Sequence, residues 1–568
     1  MTAPSRPDAQ GEHLFAQLIS GWEQAGGGEV ERCFSVAESQ VVVRGPRATS
    51  LERLCAALEH LASDELATSE AGLELLVYDS SVVAPPPMPF SQHQLTARGE
   101  LHGFESERFR MAFRFGEFTL NAYDRERRRA VVWMRDARQL PLWYLASPFR
   151  TPLHWWASDR GLQLVHGAGV VKGGRAALIV GRGGSGKSST ALTCMERGFE
   201  LLGDDYVIVG VDPATVWSLY SSVKVVPEQL EARSTFEGLA ADTEESFDKS
   251  VFFLAEHRAE RLASGAPLAV LLRAQVDRAG GPTRLEDCGP LEIDAAVSGD
   301  TLRHLPYAGH PTQEVLNRLS TSVPARRLLL GPERDAIAAT VERALGEAPS
   351  LPLATSSDLS LPFVAVVVEV EGENSPDPGL IEALESEDYP RLEVLVIRHR
   401  AKVAWDAPRT EHVVLTSLHD ERKLSRAEVF NRGSRESMAE LVAFLSSSDR
   451  WQRGFLRSAV EFLAENPELP VVAGASDRGA GAGTAVESDS DSEWATAVPW
   501  LYRRGALDKI GGFDASEPQP ERSAAERLQP VAEVLPGLEL EPPAPVGSRR
   551  ARDPRIEHVR QWLDRRRR

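Results

Sequence analysis

With 568 residues, a net charge of −19, 42% hydrophobic and 26% charged residues, the chain has material for two or three soluble domains, and its negative charge argues against nucleic acid as a general partner. Its four cysteines, Cys33, Cys55, Cys194 and Cys288, form no Cys-x-x-Cys pair, which speaks against a zinc site and for a reducing cytoplasm. No basic-then-apolar leader opens the chain, and no uncharged apolar run approaches the ~20 residues of a membrane helix, so a cytoplasmic protein without a membrane span is expected.

The elements read as an α/β multidomain chain. Residues 1–12 are polar with two prolines and are expected to be a disordered lead. Residues 13–146 read as an N-terminal α+β domain. A helix is predicted over 51–61, where Leu51, Leu54, Cys55, Leu58 and Leu61 share a face, and strands at 40–44, 73–78 and 109–115. The aromatic exit, Leu142 to Tyr144 with Trp155 and Trp156, suits packing at a domain junction better than a substrate wall.

Residues 147–347 form the most informative stretch, an α/β domain with a phosphate loop. Ala176 to Val180 is a short branched run that reads as a buried strand, and it feeds a loop matching G-x-x-x-x-G-K-[ST], from Gly181 to Ser188. Gly183, Gly184 and Gly186 free the backbone to turn successive N–H groups toward one anion, and the helix that follows adds its positive end. Gly181, Gly183, Gly184, Ser185, Gly186, Lys187, Ser188 and Ser189 are the candidate ATP-binding residues. Lys187 is placed to reach the β- and γ-phosphates, and Ser188 to ligate Mg²⁺. A helix from Lys187 to Arg197 carries the chain about 16 Å away, and five residues of strand from Phe199 to Gly203 span about the same distance back. Asp204 and Asp205 therefore return beside the loop, one carboxylate for the metal and one for the proton of an attacking hydroxyl; Ser188 and Asp205 are taken as the metal ligands. A solvated turn is the alternative for the aspartates. Further on, Pro213 to Val226 suggests a hairpin, 248–254 and 267–273 read as strands, and 333–345 as a closing amphipathic helix. Lys249 and Arg273 could each reach phosphate, although a surface charge is the commoner role for either.

These residues resemble a known family. Val165-His166-Gly167, the phosphate loop, Thr190 to Leu192 and the run from Glu196 to Asp205 are similar to the core of the HPr kinase/phosphorylase group of serine kinases, whose fold is akin to phosphoenolpyruvate carboxykinase. The resemblance covers about forty residues. It implies ATP and Mg²⁺, a protein or peptide acceptor, and a position for His166 close to the transferred phosphate, with Lys187, Asp204, Asp205 and His166 as the catalytic set. The family's downstream Glu-x-Arg-Gly signature has no counterpart here.

After a linker at 348–361, residues 362–534 begin as a βαβ unit: strand 363–370, helix 378–386, strand 392–397. The run Leu384 to Ile397, Asn431-Arg-Gly433, Leu441 to Leu445 and Arg503 to Asp514 resemble successive landmarks of the GT-A glycosyltransferases of the inverting family 2 type, which implies a Rossmann-like GT-A domain. The metal-holding Asp-x-Asp of that family is replaced by Ser446-Ser447-Ser448, and Ile397 is followed by Arg398-His399-Arg400 where an acidic pair is usual. Hydroxyls do not replace two carboxylates as ligands of a hard cation. The domain therefore reads as a degenerate glycosyltransferase, with Asp449 as a stray candidate ligand. Residues 475–493 and 535–548 read as flexible, and the tail 549–568 holds nine Arg against three acids. That tail suits contact with an acidic partner, a membrane surface or the acidic body, or a solvated helix end.

The reading that follows is an ATP-dependent kinase transferring the γ-phosphoryl group to a hydroxyl, a serine of a protein or peptide, with a pseudo-glycosyltransferase domain for binding. Its alternatives are an active glycosyltransferase with an accessory nucleotide-binding module, and a non-enzymatic scaffold switched by ATP.

Overall fold

The computed structural model of the chain describes residues 6–346 and 361–534, with breaks of which the longest are at 65–71, 406–412, 475–499 and 515–522. The expected linker up to residue 360, both flexible stretches and the basic tail lie outside the described residues, as do Ser448 and Asp449. The chain divides into two compact units, Met1–Ser356 and Ser357–Arg568. No helix among the described residues is long and apolar enough to cross a membrane.

The first unit opens with a helix, Arg6–Gln24, where a disordered lead was expected as far as residue 12. The apolar stripe of Leu14, Phe15 and Leu18 decides the matter, since it buries against Leu76, Tyr78, Phe109 and Met111 of the adjoining sheet. Pro7 is compatible with this because the first turn of a helix has no use for its N–H. The sheet has six strands in the order Val30–Val36, Ser39–Gly45, Leu73–Asp79, Arg129–Met134, Thr119–Asp124, Phe109–Arg114. The helical stretch expected over 51–61 is a short α-helix, Leu51–Cys55, that tightens into a 3₁₀ turn, Ala56–Leu61.

The phosphate-loop sheet runs in the order Glu200–Gly203, Ala168–Lys172, Arg175–Val180, Gly265–Val276, Ala214–Trp217, Tyr206–Val211, Gln163–His166, and Ala325–Leu330 also pairs with Gly265–Val276. Arg175–Val180 and Gly265–Val276 are parallel neighbours in its middle. Helices Lys187–Glu196 and Arg334–Gly346 seal one face through Leu192, Met195, Ile337 and Val341. Helices Pro290–His304 and His310–Ser322 seal the other through Ile293, Val297, Leu316 and Leu319. The six-stranded sheet and the phosphate-loop sheet share one core, in which Val77 and Val132 meet Trp155, Trp156, Ile208 and Leu219. Trp155 and Trp156 are fully buried and donate their indole N–H groups to Pro306 O (2.9 Å) and Gly72 O (2.8 Å), so they are packing residues.

The turn at Val211 to Pro213 closes an antiparallel hairpin, but between Tyr206–Val211 and Ala214–Trp217 and not within the expected 213–226. Ala214–Trp217 stays in the phosphate-loop sheet, between Tyr206–Val211 and Gly265–Val276, while Ser222–Val225 pairs with Phe247–Phe253 in a separate three-stranded sheet. The intervening residues are tied to the amino-terminal layer. Tyr220 Oη donates to Pro148 O (2.7 Å), Ser221 N–H to Ala57 O (2.8 Å), and the Ser222 hydroxyl to Ala146 O. These bonds compete with the local turn and carry the chain across to a new sheet.

The second unit is an α/β layer structure around a seven-stranded sheet, ordered Val414–Asp420, Leu392–His399, Val364–Glu371, Leu441–Ser446, Trp500–Arg503, Val471–Gly474, Val531–Val534. The first four run parallel and Trp500–Arg503 is antiparallel. Two sequence landmarks acquire physical reasons here. A side chain at Gly433, on the helix Arg426–Glu436, would overlap Val367 at 2.4 Å, so glycine is what lets the helix lie on the central strand. Asn431 donates from Nδ2 to Phe513 O (2.9 Å) and accepts from Phe513 N–H at Oδ1 (2.8 Å), fastening that helix to the loop after Arg504–Lys509.

Candidate functional site

The glycine loop leaves the carboxyl end of Arg175–Val180 and turns into the helix Lys187–Glu196, at the end of the parallel strands in the middle of a mixed sheet, where ligands of α/β folds collect. Gly181, Gly184 and Gly186 have φ of 141°, 78° and 101°, which only glycine adopts without strain. A β-carbon on Gly186 would stand 2.4 Å from Leu330 Cδ1, whereas one on Gly183 would meet nothing within 4 Å. Gly183 therefore lies outside the set of glycines that the loop's conformation requires. Lys187 is buried at the head of the helix and donates from Nζ to the loop's own carbonyls, Gly181 O at 2.6 Å and Arg182 O at 3.3 Å. Ser185 closes the turn through its N–H to Arg182 O (3.0 Å), and the Ser189 carbonyl accepts from Arg233 (3.2 Å). Arg233, itself buried, also holds Glu196 at 3.3 Å and so braces both ends of the helix.

Asp204 and Asp205 follow Glu200–Gly203 and arrive beside the loop as the sequence geometry predicts. The Ser188 hydroxyl lies against Asp204, whereas the sequence placed Asp205 beside it as the second metal ligand. The chain bends at Asp204 and Asp205, and Asp205 turns away from Ser188 to Lys224 Nζ (2.6 Å) and His166 Nδ1 (3.8 Å). Asp204 is 3% exposed, its Oδ2 accepts the Lys224 N–H at 3.1 Å, and its Oδ1 is buried with no well-directed donor. Burial raises the Asp204 pKa, with the charge of Asp205 adding to it and the Ser188 hydroxyl opposing. Asp205 goes the other way. Burial would raise it, but Lys224, His166 and Arg150 together hold its carboxyl well below the usual carboxylate range.

His166 ends the strand Gln163–His166, opposite Tyr206 in the register, and its ring meets Tyr206 edge-on at 5.1 Å. Its N–H donates to Thr301 Oγ1 at 3.1 Å, which fixes the strand end on the helix Pro290–His304. The expected site residues Lys187, Ser188, Asp204, Asp205 and His166 are therefore gathered at one place. Arg273 is not among them, because it is ion-paired with Glu292. Lys249 lies on Phe247–Phe253, one strand away from the lysine that does meet the aspartates. That lysine, Lys224, and Arg150 at the start of Arg150–Asp159 are absent from the sequence reading. The only sequence signal for Lys224 is its place between Val223 and Val225, both fully buried, which turns its side chain to the opposite face.

The residues present suit Mg²⁺ bound together with phosphates, which asks for one or two carboxylates and leaves the rest to phosphate oxygens and water. The Ser188 hydroxyl and the buried, donor-free Oδ1 of Asp204 are such a partial ligand set. Among the described residues no cluster of three or more His, Cys, Asp or Glu side chains forms an all-protein metal site.

In the second unit, strand order reverses between Val364–Glu371 and Leu441–Ser446. At the carboxyl ends of these strands the Ser446 hydroxyl accepts from Arg426 (2.5 Å), and Ser447 N–H donates to Glu369 O (3.0 Å). In the run Arg398-His399-Arg400, the two arginines are spent on ion pairs with Glu373 (2.7 Å) and Glu371 (2.8 Å), and His399 Nε2 lies 3.5 Å from Glu369. Cross-strand pairing accounts for a basic run where an acidic pair was looked for.

No protein-family model matches the chain, and no curated protein matches it. Among solved structures it is similar to a mannosyltransferase, PcManGT from Pyrobaculum calidifontis in complex with GDP-Man and Mn²⁺, at 20% identity and a TM-score of 0.23 over 30% of this chain and 53% of that one. It is likewise similar to S. aureus TarS 1-349, at 14% identity and TM-score 0.24, and to the same protein in complex with UDP, at 16% and 0.25, each over 31% of this chain and 59% of that one. The chain thus spans a little over half the length of these structures. These neighbours are glycosyltransferases, matched over less than a third of the chain, and they lend no support to the kinase resemblance of the first unit.

Proposed function

We propose that the first unit is a phosphotransferase that binds a nucleoside triphosphate, ATP by resemblance, and moves its terminal phosphoryl group to a hydroxyl of a protein or peptide. The observation that carries this reading is the convergence of the glycine loop and Lys187 with Ser188 on Asp204, and of His166 with Asp205, at the end of one parallel strand. Loop N–H groups and Lys187 hold phosphate oxygens once Lys187 leaves the Gly181 and Arg182 carbonyls. Ser188 and Asp204 would hold Mg²⁺, which when bound would supply charge neutralisation at the phosphates. Asp205, kept ionised by Lys224, accepts the hydrogen bond of the incoming hydroxyl and takes its proton as the bond to phosphorus forms. The test is the nucleotide-induced rise in melting temperature together with γ-phosphate release. Lys187→Ala should lose the thermal response to Mg·ATP, and Asp205→Asn should keep it while release falls about 10²–10⁴-fold. Equal thermal shifts in wild type and Lys187→Ala would remove the assignment.

A second reading concerns the other unit. Its parallel strands reverse order between Val364–Glu371 and Leu441–Ser446, the kind of crevice where open α/β sheets bind nucleotides, and this supports nucleotide-sugar binding there. With Ser446 bonded to Arg426 in place of a carboxylate pair, we take that role to be binding without metal-dependent transfer.

A further inference from the structure

The site contains one cation that neither the glycine loop nor the aspartates explain. Arg150 opens the helix Arg150–Asp159, immediately after Phe149, whose left-handed backbone (φ 54°) turns the chain into the helix. Its guanidinium lies over the Tyr206 ring at 5.1 Å from the centroid, is partly shielded from solvent, and donates no hydrogen bond to any described residue. The carboxylates whose charge it feels are Asp205 and Glu117. Asp205 is already engaged by Lys224 at 2.6 Å, and Glu117 by Arg114 at 3.4 Å. Arg150 therefore sits beside the reacting carboxylate with a planar fork of donors that no described residue uses, and such a fork matches phosphate oxygens. Tyr206, over whose ring it lies, stands opposite His166 in the paired strands, so Arg150, His166 and Asp205 belong to one wall of the site.

We propose that Arg150 is a phosphate clamp supplied by the chain itself, engaging the phosphoryl oxygens from the Asp205 side during transfer. This rests on the phosphotransferase reading. In the step concerned, the acceptor oxygen bonds to the γ-phosphorus, and the bond from that phosphorus to the β,γ-bridging oxygen breaks with its electron pair leaving on the nucleoside diphosphate. The hydroxyl proton passes to Asp205. Negative charge spreads over the three oxygens in flight, and a guanidinium placed there stabilises them more than it stabilises the bound nucleotide.

The experiment compares the full-length wild type with Arg150→Lys and Arg150→Gln, both long enough to keep contact with Tyr206. Two quantities are read: the melting-temperature rise given by Mg·ADP and by a non-hydrolysable Mg·ATP analogue, and γ-phosphate release from Mg·ATP. All three proteins should respond alike to Mg·ADP. Arg150→Gln should lose the extra rise that the analogue gives over Mg·ADP and release phosphate about 10²–10³-fold more slowly, with Arg150→Lys between, since an ammonium is a point charge without the fork. Wild-type release and a wild-type analogue-over-ADP difference in Arg150→Gln would overturn the clamp and leave the phosphotransferase reading standing. A fall in the response to both nucleotides alike would overturn it too, by making Arg150 a structural residue. Absence of any nucleotide response in the wild type would overturn both.

Discussion

Lys224 meets the two aspartates through different atoms, donating its backbone N–H to Asp204 and its ammonium to Asp205. Replacing its side chain therefore isolates one of the two contacts. In Lys224→Met the Asp204 contact survives, while Asp205 keeps its burial and loses the strongest of the charges that hold its carboxyl ionised. A carboxylate with a depressed folded-state pKa contributes stability above its unfolded pKa, and that contribution is lost as pH falls through the folded value. The variant should thus be less stable than wild type by about 1.5–3 kcal/mol at pH 7, the range for a hydrogen bond to a charged group, and the gap should narrow only below the unfolded value of about 4, as at about pH 2.5. Urea denaturation of both proteins at the two pH values checks this, and an unchanged gap would mean that Lys224 acts by packing alone.

At the level of elements, the glycine loop separates two kinds of glycine. Gly186 is held at φ 101° with Leu330 in the way of any β-carbon, so Gly186→Ala should cost at least about 1–2 kcal/mol, while Gly183→Ala, facing open space, should stay within about 0.5 kcal/mol of wild type. Thermal melts decide between them, and a destabilised Gly183→Ala would show that the loop is more tightly packed than its geometry implies. The strand, loop, helix and acidic return from Ala176 to Asp205 were legible in the sequence because each element is local and its length is set by fixed rises per residue. The wall of the site made by Lys224 and Arg150 was not. Arg150 comes from a helix whose neighbouring residues advertise only packing, and Lys224 arrives by a crossing held by Ala57, Ala146 and Pro148, contacts that no local pattern announces. The order of the aspartates was hidden for a similar reason, since it depends on which way the chain faces as it leaves Gly203. In the second unit, the spacing of Asn431, Gly433 and Phe513 was visible, but its cause, a helix fastened to a loop some 80 residues away, was not.

For the molecule as a whole, the division at Ser356 separates the glycine loop from the sheet whose crevice lies beside Ser446. Produced separately, residues 1–356 should keep the full thermal response to Mg·ATP, and residues 357–568 should show none. The second piece should instead respond to one of a panel of UDP-, GDP- and dTDP-sugars, equally with Mn²⁺ and with chelator. A metal-dependent sugar response, or turnover, would restore the active-transferase alternative for that unit. Loss of the Mg·ATP response in the first piece would mean that the nucleotide site needs both units.

The anchored crossing at Tyr220 to Ser222 also bears on how such a site could be inherited or grafted. The glycine loop and its acidic return are a contiguous cassette of about thirty residues, easily imagined as portable. Lys224 is not part of that cassette, because its strand hangs from carbonyls at Ala57, Ala146 and Pro148. A chimera that took up the chain from residue 147 onward would carry the phosphate grip and leave behind two of the three pegs that set the ammonium against Asp205. The smallest transplantable form of this chemistry therefore includes the amino-terminal layer, and a relative that kept the motif but lost that layer should bind phosphate without steering what it is passed to.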